Sequence, residues 1–380
     1  MQASESKGKT NKGKEGSREY TNKTRELNGI IQPSPISSNK YTEAGKKNKG
    51  EDESLDKSSG SRPSEKVVIH EGYSDQTIII RGNLTAEYRS GLIKMLRKHA
   101  YAFAWTSADM TGIPRFVVEN ALKTYPHIEP RVQWKWSIAP DRRKIVKDEV
   151  TEWIKAEIVR KVRYPTWVTN LVLVKKSDNS WRMFINFKYL NKSYSKDLYP
   201  LPEIDWKIES LMGFKYKCFL DAYKGYHQIQ MAKKDEEKMT FYTDEGVFCY
   251  MKMPFGLKIA RETYQRLVDT IFEGKMGRNL EAYMDDMVIK SKTELEMIKD
   301  VKETLLTLKK VNMKLNPKKC SFGMEEGKFL GYIVTSKGIR ANPEKTKAVV
   351  NMPSPKNLKQ MKRLSSKLDA LKIFLSKAAE

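Results

Sequence analysis

Apolar and polar residues alternate along this chain with two different periods, and the period indicates which element each segment forms. Residues 146–154 place their apolar side chains three and four positions apart, which predicts a helix. Residues 170–175 and 181–186 are short apolar runs separated by polar residues 177–180, a pattern that predicts a hairpin.

The second half of the chain continues this mixture of elements. We predict strands at 216–220 and 247–251, helices at 262–272 and 294–310, and a hairpin over 329–340. Helices interspersed with largely antiparallel hairpins favour an α+β fold.

The two ends of the chain differ from its middle. Residues 1–66 are rich in Lys, Ser, Gly, Asn and Glu without an apolar period, so we predict a disordered, basic, polar tail. Residues 67–140 carry a helical pattern at 92–96 and aromatic residues at 101–105, and we interpret them as an N-terminal extension. Apolar residues between 358 and 375 form one helical stripe that also carries cations. A solvated basic face and a nucleic-acid contact explain these cations equally well.

The charge balance changes the picture most. The chain has 71 Lys and Arg against 47 Asp and Glu, a formal net charge of +24. Such an excess favours a polyanionic partner, most simply nucleic acid, over the alternative of a merely solubilising surface. No long apolar run or lipidation signal points to a membrane. The three scattered cysteines indicate a reducing compartment without a disulfide framework.

Candidate chemistry lies in three carboxylates. Asp285 and Asp286 stand between short apolar runs, which predicts a hairpin with both acids at its turn, and Asp221 ends another strand-like run. Adjacent carboxylates repel and usually need a cation between them. Three acids from two strand ends are a candidate site for two divalent metals, the arrangement that supports phosphoryl transfer. An acidic pair in a turn is weak evidence by itself, because Asp favours turns.

Six motifs resemble, in order, those of gypsy-class LTR-retrotransposon reverse transcriptases in the form found in plant elements. They are the fingers-to-palm segment from Trp181-Arg182-Met183 to Tyr199-Pro200-Leu201-Pro202, then Phe219-Leu220-Asp221-Ala222, Met253-Pro254-Phe255-Gly256, Tyr283-Met284-Asp285-Asp286, Asn316-Pro317…Lys319-Cys320…Phe322-Gly323 and Phe329-Leu330-Gly331-Tyr332. Any one motif is moderately specific, and six in order with compatible spacing are very specific.

The resemblance implies a right-hand polymerase with fingers, palm and thumb and an antiparallel palm sheet. Residues 141–335 would form fingers and palm, and residues 336–380 a truncated, helical, thumb- or connection-like segment. The implied function is RNA-directed DNA polymerase, as part of a retrotransposon polyprotein. In the family the three acids bind two Mg²⁺ ions, for which Mn²⁺ substitutes, so the resemblance assigns catalysis and metal binding to Asp221, Asp285 and Asp286.

The resemblance also implies two further groups of site residues. The nucleotide-binding residues would be Lys175, Arg182, Tyr226, Phe255 and Gly256, and the primer grip would be Leu330 and Gly331. Cations suit the triphosphate, and an aromatic ring under the sugar favours deoxynucleotides. A solvated charge at Lys175 and a packed core tyrosine at Tyr226 remain the alternatives.

The implied partners are an RNA or DNA template with its primer and deoxynucleoside triphosphates, without a membrane. The expected location is the cytoplasm, with particle association or the nucleus as alternatives. Neither a protease signature nor an RNase H or integrase segment is visible, so we expect a fragment of a polyprotein.

Several positions depart from the family pattern. Asn186 and Lys188 stand where the family usually has Asp and Arg, and Glu157 replaces a usual Gly. Bulkier or charged residues occupy 259–262, where overpacking beside the nucleotide is expected. These departures favour a second hypothesis, an impaired copy that only binds nucleic acid. A third hypothesis is a remnant that does not fold.

Overall fold

The computed structural model describes residues 63–176 and 179–369, together with 371 and 374. The predicted tail 1–66 therefore lies outside the described residues up to position 62, and its residues Glu65 and Lys66 belong instead to the first strand. Two residues of the predicted turn at 177–180, Ser177 and Asp178, also lie outside the described residues, as does the end of the apolar stripe at 375.

Helices form where apolar residues recur at the helical period. The α-helices are α1 Ala86–Lys98, α2 Pro140–Lys155, α3 Ile204–Glu209, α4 Ala260–Ile271, α5 Glu294–Lys310, α6 Pro343–Val350 and α7 Leu358–Asp369. Helix α5 has the bounds that the sequence predicts, because Thr293 and Glu296 form a capping box at its start.

Strands fill the segments between these helices. In the first half they are β1 Glu65–Val67, β2 Ile78–Ile80, β3 Glu119–Asn120, β4 Val159–Val162, β5 Leu171–Lys175, β6 Trp181–Ile185, β7 Tyr216–Asp221 and β8 Gln230–Met231. In the second half they are β9 Thr240–Thr243, β10 Gly246–Tyr250, β11 Leu280–Tyr283, β12 Asp286–Ser291, β13 Ser321–Met324, β14 Gly327–Phe329, β15 Tyr332–Val334 and β16 Ile339–Ala341.

The largest sheet has six strands in the order β1-β2-β13-β7-β12-β11. Strands β7, β12 and the edge strand β11 pair antiparallel, and only β13 runs parallel to its neighbour β2. Helix α5 packs against β7 and β12, and α1 packs against α5. This layering buries one face of the sheet and leaves the strand ends that carry the acids at its edge. The α+β prediction with an antiparallel palm sheet is confirmed.

Two smaller sheets are formed by strands that lie in sequence between β2 and β11 of the large sheet. Strands β4, β10 and β9 form a three-stranded sheet, and β5 pairs with β6 as the predicted antiparallel hairpin. Helix α2 packs against β4 and β6. The aromatic ring of Trp153 from α2 contacts Tyr250 and Phe241 of the three-stranded sheet. Aromatic contacts therefore fasten the helix to its strands.

The hairpin predicted over 329–340 is present as the antiparallel pair β15 and β16, and β14 adds a third strand in the order β14-β15-β16. Leu330 and Gly331 form a turn between β14 and β15, with positive φ angles of 48° and 86°. Two consecutive residues at positive φ are typical of the tight turns that join hairpin strands. The apolar run from Phe329 to Val334 therefore folds back on itself, which an alternating pattern does not reveal.

Glu157, which stands where the family usually has Gly, follows the end of helix α2. Glu157 has φ of +50°, in the left-handed region, and its side chain is exposed. A residue with a Cβ atom is strained there, whereas glycine is not.

We predict that Glu157→Gly raises the free energy of unfolding by about 1 kcal/mol, because the strain disappears and little packing is lost. Glu157→Ala is the matched control, since it removes the charge but keeps the Cβ atom, and it should bring no gain. Thermal melts of the three proteins measure the effect. Equal melting temperatures for the Gly and Ala variants would contradict a backbone origin.

Candidate active site

The turn between β11 and β12 carries two of the three acids. Tyr283 pairs with Asp286 across the hairpin, so Met284 and Asp285 form a two-residue loop. Met284 adopts a positive φ of 54°. Its backbone N–H donates to Oε1 of Gln265 on α4 over 2.9 Å, and Gln265 is completely buried. Helix α4 therefore holds the strained turn in place.

The third acid lies directly across the sheet from this turn. Asp221 pairs with Asp286 in the register of β7 and β12. The N–H of Ala222, the next residue, donates to the carbonyl oxygen of Asp285 over 3.0 Å. Three carboxylates from two strand ends therefore meet at one edge of the sheet, as the sequence led us to expect.

A lysine provides the only cation that the described residues pair with this cluster. Lys319 Nζ lies 2.9 Å from a carboxylate oxygen of Asp221. Burial raises the pKa of Asp221 although Lys319 lowers it, and burial also raises the pKa of Asp285. Burial and then repulsion from Asp285 and Asp221 raise the pKa of Asp286 to about 7. Asp286 still faces solvent, which screens part of that repulsion.

The donor set fits a divalent cation. Within residues 63–176 and 179–369, no three His, Cys, Asp or Glu side chains converge as a ready metal cage, and Lys319 occupies one oxygen of Asp221. Burial is the first cause of the raised carboxyl pKa values, and repulsion within the cluster adds to it for Asp221 and Asp286. Carboxylate oxygens are the ligands that Mg²⁺ and similar hard cations prefer. The three acids are therefore the residues that would hold such an ion.

Aromatic rings line the side of the site next to the acids. The ring centroid of Tyr226 lies 4.7 Å from that of Phe255 in an edge-to-face arrangement, and Phe255 is 42% exposed. Tyr226 Oη lies 3.4 Å from the sulfur of Met284. Burial and the nearby charge of Asp285 raise the pKa of Tyr226. The structure thus brings Tyr226 and Phe255 together with the acidic turn.

The loop that carries Phe255 and Gly256 is fixed by a side chain that sequence reasoning did not single out. Asn191 Nδ2 donates to the carbonyl of Gly256 over 2.8 Å, and its Oδ1 accepts from the N–H of Lys258 over 2.9 Å. Asn191 therefore ties the loop to the segment after β6.

The two predicted phosphate cations lie on the β5–β6 ribbon, and both are exposed. Arg182 pairs with Val174, and Lys175 pairs with Trp181. Because side chains alternate between faces along a strand, Arg182 and Lys175 lie on opposite faces of the ribbon. Among the described residues, no hydrogen bond or ion pair joins either cation to the acids. Arg182 shares its face with Val174, which is 46% exposed, so this face is open.

The predicted primer-grip residues form the β14–β15 turn described above. A Cβ atom added at Gly331 would lie 2.5 Å from Nζ of Lys345, the end of a flexible side chain that can move, so the positive φ of 86° is what favours glycine there. Phe219 of β7 and Leu330 belong to the small apolar cluster that joins this sheet to the palm.

The departures at the start of α4 differ in their environments. Ile259 occupies the N-cap without a side-chain hydrogen bond and is buried, whereas Arg261 is exposed. Glu262 is 8% exposed, and its Oε2 has no hydrogen-bond partner among the described residues. Ile259 and Glu262 therefore point into the protein and Arg261 does not, and the expected overpacking beside the nucleotide stays a prediction. Asn186 Oδ1 accepts from the N–H of Lys188 over 3.3 Å, a purely local contact.

No supporting role was assigned from the sequence to three residues, because the groups they bind are distant in sequence. They are Gln265 on the acidic turn, Asn191 on the Phe255 loop and Lys319 on Asp221. The only local signal was a polar Gln265 on the apolar side of an amphipathic helix, which is where a buried hydrogen bond is required.

Several known proteins are similar to this chain. A family described as reverse transcriptase (RNA-dependent DNA polymerase) matches residues 174–334. The Tf2-3 and Tf2-4 transposon polyproteins of Schizosaccharomyces pombe are 31% identical over 245 residues, which is 64% of this chain. The chain spans 18% of the length of those polyproteins. Residues 174–334 therefore match the reverse transcriptase family, and the chain is similar to these retrotransposon polyproteins over part of their length.

Solved structures establish the fold independently. The foamy viral protease-reverse transcriptase in complex with RNA/DNA hybrid matches with a TM-score of 0.68 at 18% identity, covering 82% of this chain and 41% of that one. The same protein in complex with dsDNA matches with a TM-score of 0.69 at 19% identity, covering 76% and 59%. The right-hand polymerase fold is therefore confirmed. No helix in the described part of the chain is long and apolar enough to cross a bilayer.

The electrostatics of the acidic cluster predict a pH dependence of stability without metal. The folded-state pKa of Asp286 lies above its ordinary value, so the folded chain retains a proton that the unfolded chain loses. This stabilising contribution is complete below about pH 4 and is lost as the pH rises through about 7. We expect the melting temperature in EDTA to fall across that window.

Asp286→Asn should flatten this dependence, because an amide does not titrate, and should raise the melting temperature at pH 8 by a few degrees. Added Mn²⁺ should stabilise the unmodified chain more than the variant. Parallel pH profiles for the two proteins would contradict the repulsion at Asp286.

Proposed function

We propose that this chain carries out RNA-directed DNA synthesis, with Asp221, Asp285 and Asp286 as its catalytic residues. The observation that carries the proposal is the direct pairing of Asp286 with Asp221 beside a strained two-residue turn that presents Asp285. A protein does not place like charges opposite each other without cost. Such an arrangement is understandable when a cation binds there.

The metal we propose is Mg²⁺, held by the three acids as two ions, with Mn²⁺ able to substitute. When bound, divalent ions activate the primer hydroxyl and neutralise charge on the leaving pyrophosphate. The chain itself contributes the positions of the carboxylates, through the brace from Gln265 and the pairing of β7 with β12. Lys319 must release its oxygen of Asp221 for that carboxylate to bind a metal fully.

The nucleotide would lie against Tyr226, Phe255 and Gly256, with its triphosphate facing the β5–β6 ribbon. Tyr226 has its ring close to Phe255 and its hydroxyl at Met284, so it closes the floor of this region. A ring in this position restricts the space for a ribose 2′-OH and favours deoxynucleotides. Arg182 lies on the open face of the ribbon and Lys175 on the other face, so we propose Arg182 as the main phosphate ligand of the two.

The template and primer are proposed to be nucleic acid of either kind, held mainly through the backbone. The net charge of +24 favours this partner, and the Leu330–Gly331 turn is the proposed primer grip. The foamy viral structures contain RNA/DNA hybrid and dsDNA, which supports such a partner for a chain with the same fold. We further propose that the chain derives from a plant gypsy-class element and acts in the cytoplasm.

One observation favours the alternative of an impaired copy that only binds nucleic acid. Glu262 brings a buried carboxylate with an unpaired oxygen close to the nucleotide region, where its charge acts on Tyr226. A buried unpaired charge disfavours binding of a further anion. Activity and duplex binding must therefore be measured separately.

We expect Asp221→Asn and Asp285→Asn each to abolish primer extension, because an amide is a poor metal ligand, while duplex affinity stays within a few fold. Extension of a labelled primer with Mg²⁺ and a filter-binding titration give the two readouts. Asp148→Asn, an exposed position on α2, is the control and should behave as the unmodified chain. Near-normal extension by either active-site variant would eliminate the two-metal assignment.

The departures at α4 predict a gain of function. The triple variant Ile259→Asn, Arg261→Gly, Glu262→Ala should raise nucleotide incorporation at least tenfold, about 1.4 kcal/mol of transition-state stabilisation, with little change in duplex affinity. Asparagine can cap the helix, and alanine removes the unpaired carboxylate.

Arg261→Gly alone is the matched control, and it should change incorporation little because Arg261 is exposed. If the unmodified chain already extends primers efficiently and the triple variant gains nothing, the departures are tolerated. If both proteins fold and bind duplex but neither extends with Mg²⁺ or Mn²⁺, the binding-only alternative is correct.

A further inference from the structure

A buried hydroxyl beside the acidic turn has no partner. Tyr264 lies in the first turns of α4 and is 1% exposed. Its Oη makes no hydrogen bond to any of the described residues. Buried hydroxyl groups are nearly always hydrogen-bonded, and an exception calls for a ligand, an ion or a functional explanation.

The space in front of this hydroxyl is shared with Asp285. A Cβ atom added to Gly225 would lie 3.0 Å from Tyr264 Oη and 3.2 Å from Asp285 Cβ. The hydroxyl and the aspartate side chain therefore converge on the space that Gly225 leaves open. Tyr264 Oη therefore lies within about 6 Å of Asp285 Cβ, a separation that a hydrogen bond to the carboxylate, direct or through one water molecule, can span.

The other neighbours of Tyr264 do not use its hydroxyl. The ring of Tyr226 meets the ring of Tyr264 edge to face at 5.5 Å, and the Tyr226 hydroxyl faces Met284. Glu262 is two residues away on the same helix, so its side chain points in a different direction. Burial, followed by the charge of Asp285, raises the pKa of Tyr264, which keeps the hydroxyl protonated and able to donate.

We propose that Tyr264 is a positioning residue whose hydroxyl donates a hydrogen bond, directly or through one water, to the Asp285 carboxylate when Asp285 holds a divalent cation. A carboxylate that binds a metal through one oxygen needs a donor for the other, and such a donor fixes the orientation of the ligand. The proposal rests on the proposed function, because it takes Asp285 as a metal ligand. It extends that function with a residue on a different element, α4, which also braces the turn through Gln265.

A structural role and a positioning role for Tyr264 lead to different expected effects of removing its hydroxyl. Removing an unsatisfied buried hydroxyl from a packed ring should leave the fold unchanged or more stable. The loss of a donor to a metal ligand should instead weaken metal binding, for which a change of about tenfold is typical. Tyr264→Phe separates these effects, because it removes only the oxygen.

The experiment measures Mn²⁺ binding to the full chain by electron paramagnetic resonance, without nucleotide. Tyr264→Phe should weaken Mn²⁺ binding about tenfold with an unchanged or higher melting temperature. In extension assays it should raise the Mg²⁺ concentration for half-maximal rate while the KM for nucleotide stays within about twofold. Tyr250→Phe is the control, a tyrosine 3% exposed in the aromatic core, and should bind Mn²⁺ normally.

A double-mutant cycle with Asp285→Asn locates the effect. If Tyr264 acts through Asp285, Tyr264→Phe should cause no further loss in the Asp285→Asn background. Normal Mn²⁺ affinity in Tyr264→Phe, with weakened affinity in Asp285→Asn, would overturn the positioning role and leave the proposed function intact. Normal affinity in Asp285→Asn would overturn both.

A second variant covers the case in which Tyr264→Phe does not fold. Gly225→Ala introduces a methyl group between Tyr264 Oη and Asp285 Cβ, so it separates the two groups while both remain present. It should weaken Mn²⁺ binding in the same way, and unchanged binding in a folded Gly225→Ala protein would contradict the contact.

Discussion

Repulsion among three carboxylates is the constraint on which the rest of this structure depends. Asp286 faces Asp221 across two paired strands, and Asp285 sits in a turn that forces Met284 to a positive φ. The pairing of β12 with β7 along its whole length, with α5 packed behind, opposes that repulsion. Lys319 and Gln265 add one ion pair and one buried hydrogen bond. The palm sheet and α5 therefore hold the three carboxylates together against their repulsion.

A buried carboxylate outside this site, that of Glu281, is fully paired with cations. Glu281 is buried under the same hairpin, and it is paired with both Lys290 at 2.8 Å and Lys207 at 2.9 Å. Near the start of α4, in contrast, Glu262 and Tyr264 each have a buried oxygen without a hydrogen-bond partner among the residues that the structure describes. The described residues include other buried atoms without a hydrogen-bond partner, but Glu262 and Tyr264 are the two that lie on α4, the helix that braces the acidic turn. In our proposals the Tyr264 hydroxyl positions a metal ligand, whereas the Glu262 carboxylate is a harmful substitution.

Local patterns predicted the elements well and the contacts between them poorly. Helix α5 and the β5–β6 hairpin follow from periodicity and capping residues, and the acids at the β11–β12 turn follow from polar residues between apolar runs. The turn at Leu330 was hidden inside an apolar run. The opposite faces of Lys175 and Arg182 depend on strand register, which composition does not specify. Gln265 and Lys319 act on residues far along the chain, so only the assembled fold shows their roles.

The central claim is that the carboxylates are held together in order to bind metal. The most direct test is a titration with Mn²⁺ followed by electron paramagnetic resonance. The sample is the full chain in complex with a primer-template that ends in a dideoxynucleotide, with the next nucleotide present. The account predicts two tightly bound ions per chain and the loss of tight binding in an Asp221→Asn, Asp285→Asn double variant. Tight binding that survives in this variant, or no tight binding in a chain that folds and holds the duplex, would contradict it.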